Sequence, residues 1–243
     1  MTVVNEMIEP PSGQTKHPVD KKRRAVFELL TVSAAFWAMM FQDWIAFNGP
    51  LAVILAAVII TVFLARRGET WQSLGLKWPT GLKGAGAGTL LTLLIFLSVM
   101  IATAIAQPVI STLFGAYEQT VPDVSTVQNY LIMMALAWST AAIGEELVFR
   151  GFMMTRLSDI FGESWIAKAA AALIPAIIFG AAHAYQGLPG ILLTGTVGLV
   201  FGIWYLVGRR NLLPLIFGHG LVNTFGLTLL HLISTGVIDA NIA

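Results

Sequence analysis

The chain has 243 residues, of which 56% are hydrophobic and only 11% charged; soluble domains carry about 25% charged residues, so this is the composition of a polytopic membrane protein. Its 14 basic and 13 acidic residues leave a formal net charge of +1, which offers no basic face for nucleic acid. The absence of cysteine excludes disulfides, a thiol nucleophile and Cys-ligated metals.

Residues 1–24 mix acidic, basic and proline residues, with no short apolar core and cleavage site behind them, and read as a polar cytoplasmic tail before an uncleaved span. A bilayer-crossing helix needs about 20 mostly apolar residues, and seven segments approach that: 26–47, 51–65, 84–107, 128–149, 166–184, 188–207 and 212–235. The expected fold is all-α, a polytopic helix bundle of about seven transmembrane helices, with 25–243 as one transmembrane domain. The first two spans meet at Asn48-Gly49-Pro50, and Arg66 and Arg67 snorkel from the end of the short second one. Gly84, Gly86 and Gly88 in the third span, and the pair Gly198 and Gly202 in the sixth, are expected to let helices pack closely. Asp43 is read as interfacial and His231 as a packing residue.

Short cytoplasmic loops collect Lys and Arg. Lys16 and Lys21 to Arg24 precede span one, and Arg66, Arg67, Lys77 and Lys83 follow span two. Arg150, Arg156 and Lys168 fall between spans four and five, and Arg209 and Arg210 between six and seven, so seven crossings put all 14 basic residues on one side. The other side holds acids such as Glu118, Asp123 and Asp239. The N-terminus is therefore expected in the cytoplasm, and the compact cysteine-free chain suggests a bacterial inner membrane.

Residues 144–151 read GEELVFRG at the end of the fourth apolar segment. The seven Leu, Ile, Val and Phe residues from 128 to 149 favour insertion by about 0.3–0.6 kcal/mol each, whereas an ionised group near a helix centre costs about 2.5–3.5 kcal/mol. The charges dominate, so Glu145, Glu146 and Arg150 must face the bundle interior and find partners there. Glu146 and Arg150 stand four apart with the acid first, the favoured order for a helical ion pair. Glu145 lies about 100° around the helix from Glu146 and is left for another helix. The fifth segment carries FGAAHA with His183, and the seventh GHGLVN with His219 and Asn223 four apart. Two carboxylates, two imidazoles and a carboxamide exceed what packing requires.

Such a cluster can hydrolyse an amide. A carboxylate and an imidazole, Glu145 and His183, can activate a shared water as general bases, while His219 and Asn223 donate hydrogen bonds to the oxyanion that forms. No Gly-x-Ser-x-Gly elbow offers a covalent nucleophile.

EELVFR, FGAAH and HGLVN fit the patterns EExxxR, FxxxH and HxxxN, in that order and on separate apolar segments. The chain resembles the CPBP family of CAAX prenyl endopeptidases and bacteriocin-processing or immunity (Abi) proteins over residues 128–227. The resemblance implies an intramembrane peptidase in which Glu145 and His183 activate water, His219 and Asn223 stabilise the oxyanion, and Glu146 and Arg150 support that geometry. The implied partners are a membrane-embedded or lipidated peptide and the bilayer. No cofactor is expected; zinc on the same residues is the alternative, although the zincin H-E-x-x-H spacing is missing. A non-catalytic scaffold or a transporter is the remaining alternative.

Straight helices strain this site, since at about 1.5 Å per residue His183 falls much deeper along its span than Glu145. Either the fourth helix continues past Arg150 toward Leu157, or the fifth enters the membrane late with Pro175 bending it.

Overall fold

The computed structural model describes residues 18–42, 44–45, 47–115 and 122–239; Asp43, Lys16 and Glu118 lie outside them. The described chain is helical throughout, without strands. Its long helices are α1 Pro18–Met40, α2 Asn48–Arg67, α3 Gly81–Phe114, α4 Val127–Phe161, α5 Trp165–Ala181, α6 Gly187–Val207 and α7 Leu212–Ser234. Short 3-10 turns at Trp71–Leu74 and Ala184–Gln186 precede α3 and α6.

Each of the seven expected segments contains a helix, although α1 ends at Met40, short of the expected 47; by length and composition five are able to cross a membrane: α2, α3, α4, α6 with its preceding turn, and α7. The 17 residues of α5 span about 26 Å at 1.5 Å per residue, short of a hydrocarbon core of about 30 Å. α1 opens on Asp20, Lys21, Lys22, Arg23 and Arg24, so the polar stretch expected through residue 24 becomes helical from Pro18. α3 runs past the expected end, through Pro108 to Phe114.

Two apolar cores share α4. Val32 and Phe36 of α1, Ala56 and Ile60 of α2 and Phe179 of α5 pack on its Phe149 and Phe152. On the other side Ile95 of α3, Phe201 and Tyr205 of α6 and Leu215 of α7 pack around its Met154. Gly198 and Gly202 set α6 against Ala176 and Ala172 of α5, as their spacing predicts, whereas Gly86 and Gly88 face open space. Helix starts follow the N-cap rule: Thr126, Ser164 and Asn211 accept from Asn129, Ala167 and Leu213 amides.

One end of the bundle is tied by ions. Glu28 of α1 accepts from Arg67 of α2 at 2.5 Å and from Arg156 of α4 at 2.8 Å. Asp159 holds Lys21 at 2.7 Å, and Glu163 holds Arg210 at 2.8 Å. Tyr205 Oη donates to Leu74 O at 2.9 Å, bringing the 71–74 turn to the same end. At the other end His231 Nδ1 donates to Val124 O and its ring stacks on Tyr130 at 4.8 Å, the packing role expected for it.

Candidate active site

The charged residues of GEELVFRG sit inside α4, the 35-residue helix that continues to Phe161. This is the first of the two ways anticipated to bring Glu145 and His183 to one depth. Sequence reasoning missed the local geometry: from Ala137 to Met153 the helix is π-helical, and Met154 N–H bonds to Phe149 O, five residues back. A π turn is wider than an α turn and is frequent at functional sites. Gly144 in this stretch lets Val53 of α2 approach so closely that a Cβ would overlap its Cγ1, and Gly220 of α7 accommodates the Trp138 indole in the same way. Thus α4 is gripped by α2 and α7 where its acids lie.

The expected ion pair forms: Arg150 donates to Glu146 Oε1 at 2.9 Å, with side-chain exposures of 1% and 0%. Arg150 also donates to Gly198 O at 3.0 Å and lies between the rings of Phe179 and Phe201, 4.8 and 5.2 Å from their centroids. Spacing within one helix reveals neither Phe201 nor the Gly198 carbonyl as a partner; both belong to α6, which carries no Asp, Glu, Lys, Arg or His. The same Oε1 of Glu146 accepts a hydrogen bond from His219 Nδ1 at 2.9 Å. His219 is further held by the Phe201 ring, stacked at 5.0 Å and 28°.

Glu145 turns from this pair, as its position on the helix requires. One oxygen stands 3.9 Å from His219 Nε2, and the side chain keeps 16% exposure. It lines a cavity of about 220 Å³ with His183, Tyr185, Thr140, Phe179 and residues of α1 and α2. His183 was expected within the fifth span; the structure places it just beyond α5. There the backbone tightens, His183 N–H bonding to Gly180 O at 2.9 Å, while Nδ1 stays on the helix by donating to Phe179 O at 2.8 Å. A carbonyl only accepts, so Nδ1 carries the hydrogen and Nε2 of the neutral ring is an acceptor. Glu145 is within electrostatic reach of both imidazoles. Asn223 is half-buried one turn beyond His219 and, among the described residues, hydrogen-bonds to none of these three side chains. Neither His219 nor Asn223 is part of the cavity wall.

Residues 127–225 match the family described as type II CAAX prenyl endopeptidase, Rce1-like. This segment is similar to the Rce1-like family. It runs from the start of α4 into α7 and contains all seven residues fixed by the three sequence patterns. No curated protein and no solved structure matches the chain. The matched family is one of membrane proteases, and with five helices long and apolar enough to cross a bilayer the chain is an integral membrane protein.

Among the described residues no three His, Cys, Asp or Glu side chains are grouped to hold a metal ion. A zinc site with three protein ligands needs His nitrogens and a carboxylate converging at about 2 Å from one point.

Proposed function

We propose that the chain is an intramembrane endopeptidase that hydrolyses peptide bonds of membrane-embedded or lipidated peptides by direct attack of water. The observation that carries this is the shared cavity of Glu145 and His183, with His219 Nε2 3.9 Å from the same carboxylate.

A water held by Glu145 and His183 Nε2 loses its proton to Glu145 as its oxygen attacks the scissile carbonyl. The tautomers then assign the next role. With Nδ1 hydrogens committed to Phe179 O and Glu146 Oε1, either neutral imidazole presents only an acceptor at Nε2. His219 thus donates to the oxyanion as an imidazolium, and the Glu146 carboxylate behind it stabilises that charge, as the acid of a Ser-His-Asp triad does. Asn223, one turn further, supplies an amide hydrogen to the same oxygen once substrate is seated. Collapse of the tetrahedral intermediate breaks the C–N bond, and the proton held by Glu145 passes to the departing amine. Arg150 fixes Glu146 throughout.

The test compares membrane peptides from cells expressing the wild type and Glu145→Gln. Fragments present with the wild type and absent with the variant support the reading; identical peptide patterns overturn it. A chelator added to the same membranes leaves cleavage intact if the water is activated by side chains, and abolishes it if zinc does the work.

A further inference from the structure

A groove of about 520 Å³ runs where the start of α3 meets the end of α6, and it shares no residue with the cavity of Glu145. Ala87, Leu90, Leu91 and Leu94 form its α3 wall; their spacing of three, four and seven is that of one helix face. Across from them stand Val207 and Gly208. Gly208 comes so near that a Cβ on it would lie 3.1 Å from Leu91 Cδ2. Nothing covers the groove from outside: Leu90 and Val207 are more than half exposed, and a Cβ on Gly86 or Gly88, the neighbours of Ala87, would meet nothing within 4 Å.

The head of this apolar groove is cationic. Beyond α6 the backbone makes a left-handed turn in which Arg209 and Arg210 both have φ 56°, a region that residues other than glycine enter rarely. Arg210 leaves the turn toward Glu163, 2.8 Å away. Arg209 lines the groove, is exposed, and has no ion pair or hydrogen bond among the described residues. Lys83 precedes Ala87 by one turn and so falls on the same face of α3; it too is exposed and unpaired among the described residues. Neither α3 nor α6 carries an acid. Two cations therefore head the groove without a counter-charge on either helix that forms it.

We propose that the groove seats one anionic phospholipid, with an acyl chain along Ala87, Leu90 and Leu94 and the headgroup phosphate held by Arg209 and Lys83. Lipid is the occupant because both walls belong to helices able to cross a membrane, Gly81–Phe114 and Ala184–Val207. Arg209 follows the last residue of one and Lys83 stands at the start of the other, which is headgroup level. Lys83 and Leu94 are 11 residues apart, about 16 Å at about 1.5 Å per residue, the depth of one leaflet of a core about 30 Å thick. A guanidinium and a phosphate pair through two parallel hydrogen bonds. A zwitterionic headgroup carries its own ammonium and leaves the two cations uncompensated; an anionic one does not, and basic pockets between spanning helices favour it. A second copy of the chain is disfavoured, because a two-fold contact sets the same patch against itself and would bring the cations together.

The test is native mass spectrometry of the full chain in detergent, titrated with phosphatidylglycerol or with phosphatidylcholine. The wild type should retain one phosphatidylglycerol more tightly than it retains phosphatidylcholine. Arg209→Gln should weaken phosphatidylglycerol about five-fold, the factor one basic side chain contributes at an anionic surface, and Arg209→Lys should restore most of it. Leu90→Trp fills the groove without changing charge and should weaken both lipids. Arg66→Gln removes an equally exposed cation from the end of α2 and should leave phosphatidylglycerol affinity unchanged. Equal retention of the two lipids by the wild type overturns the proposal. So does undiminished phosphatidylglycerol binding in Arg209→Gln or in Leu90→Trp, or an equal loss in Arg66→Gln, which would mean diffuse attraction to surface charge.

Discussion

His219 of α7 donates from Nδ1 to Oε1 of Glu146 on α4 at 2.9 Å, and that one oxygen also accepts from Arg150 at 2.9 Å. A single carboxylate oxygen therefore fixes an imidazole and neutralises a buried guanidinium. Glu146→Gln keeps the shape and an accepting oxygen but leaves Arg150 without its counterion at 1% exposure. Removing one partner of a buried pair costs about 3–5 kcal/mol. Thermal unfolding in detergent should show a loss of that order together with loss of cleavage; a variant as stable as the wild type would mean that the pair does not hold the helices.

Glu145→Gln should behave in the opposite way. Glu145 keeps 16% exposure and its nearest charged partner is 3.9 Å away, so no short ion pair is broken and stability should change by less than about 1 kcal/mol. Loss of a general base lowers rates by about 10²–10⁴-fold. Cleavage by purified protein should fall by at least the lower figure, with an unchanged melting curve.

What the sequence disclosed about this site follows the range of its interactions. Glu146 and Arg150 are one turn apart, and the cost of leaving them in lipid compels a pair whatever the tertiary structure. His219 and Asn223 share a helix face for the same local reason. The π-helical turn over 137–153 and the end of α5 before His183 were not legible, because both depend on how α2, α6 and α7 press on α4 and α5. Glu28 was missed altogether. It lies near the start of the expected first span, 26–47, and its partners Arg67 and Arg156 lie far along the chain. Among the described residues a helix falls on each expected apolar segment, whereas only five of these helices are long and apolar enough to cross a membrane.

Glycines of α7 give a paired test of the close approach that brings His219 to Glu145. A Cβ on Gly220 would overlap the Trp138 ring of α4, while a Cβ on Gly226 meets nothing within 4 Å. Overpacking costs about 1–3 kcal/mol, so Gly220→Ala should lower the melting temperature and, by pushing α7 off α4, reduce cleavage. Replacing an exposed helical Gly by Ala gains about 0.5–1 kcal/mol, so Gly226→Ala should be neutral to stabilising and fully active. Equal behaviour of the two variants would count against the tight α4–α7 contact.

Glu28 extends the same reasoning to the other end of the bundle. Its two oxygens take Arg67 at 2.5 Å and Arg156 at 2.8 Å, and its own exposure is 4%. Glu28→Ala leaves Arg156, exposed by only 3%, with Asp159 at 3.3 Å and Glu69 at 3.6 Å as its remaining partners. Because those acids retain part of the compensation, the loss should fall below the about 3–5 kcal/mol of a fully orphaned buried charge. The helix released is α1, and it carries Phe36 and Met40 of the cavity wall. Glu28→Ala should therefore raise protease sensitivity within α1 and weaken peptide binding more than turnover, raising KM with kcat nearly unchanged. A fall in kcat at constant KM would instead tie Glu28 to the chemistry, although it meets α4 at Arg156, eleven residues beyond Glu145.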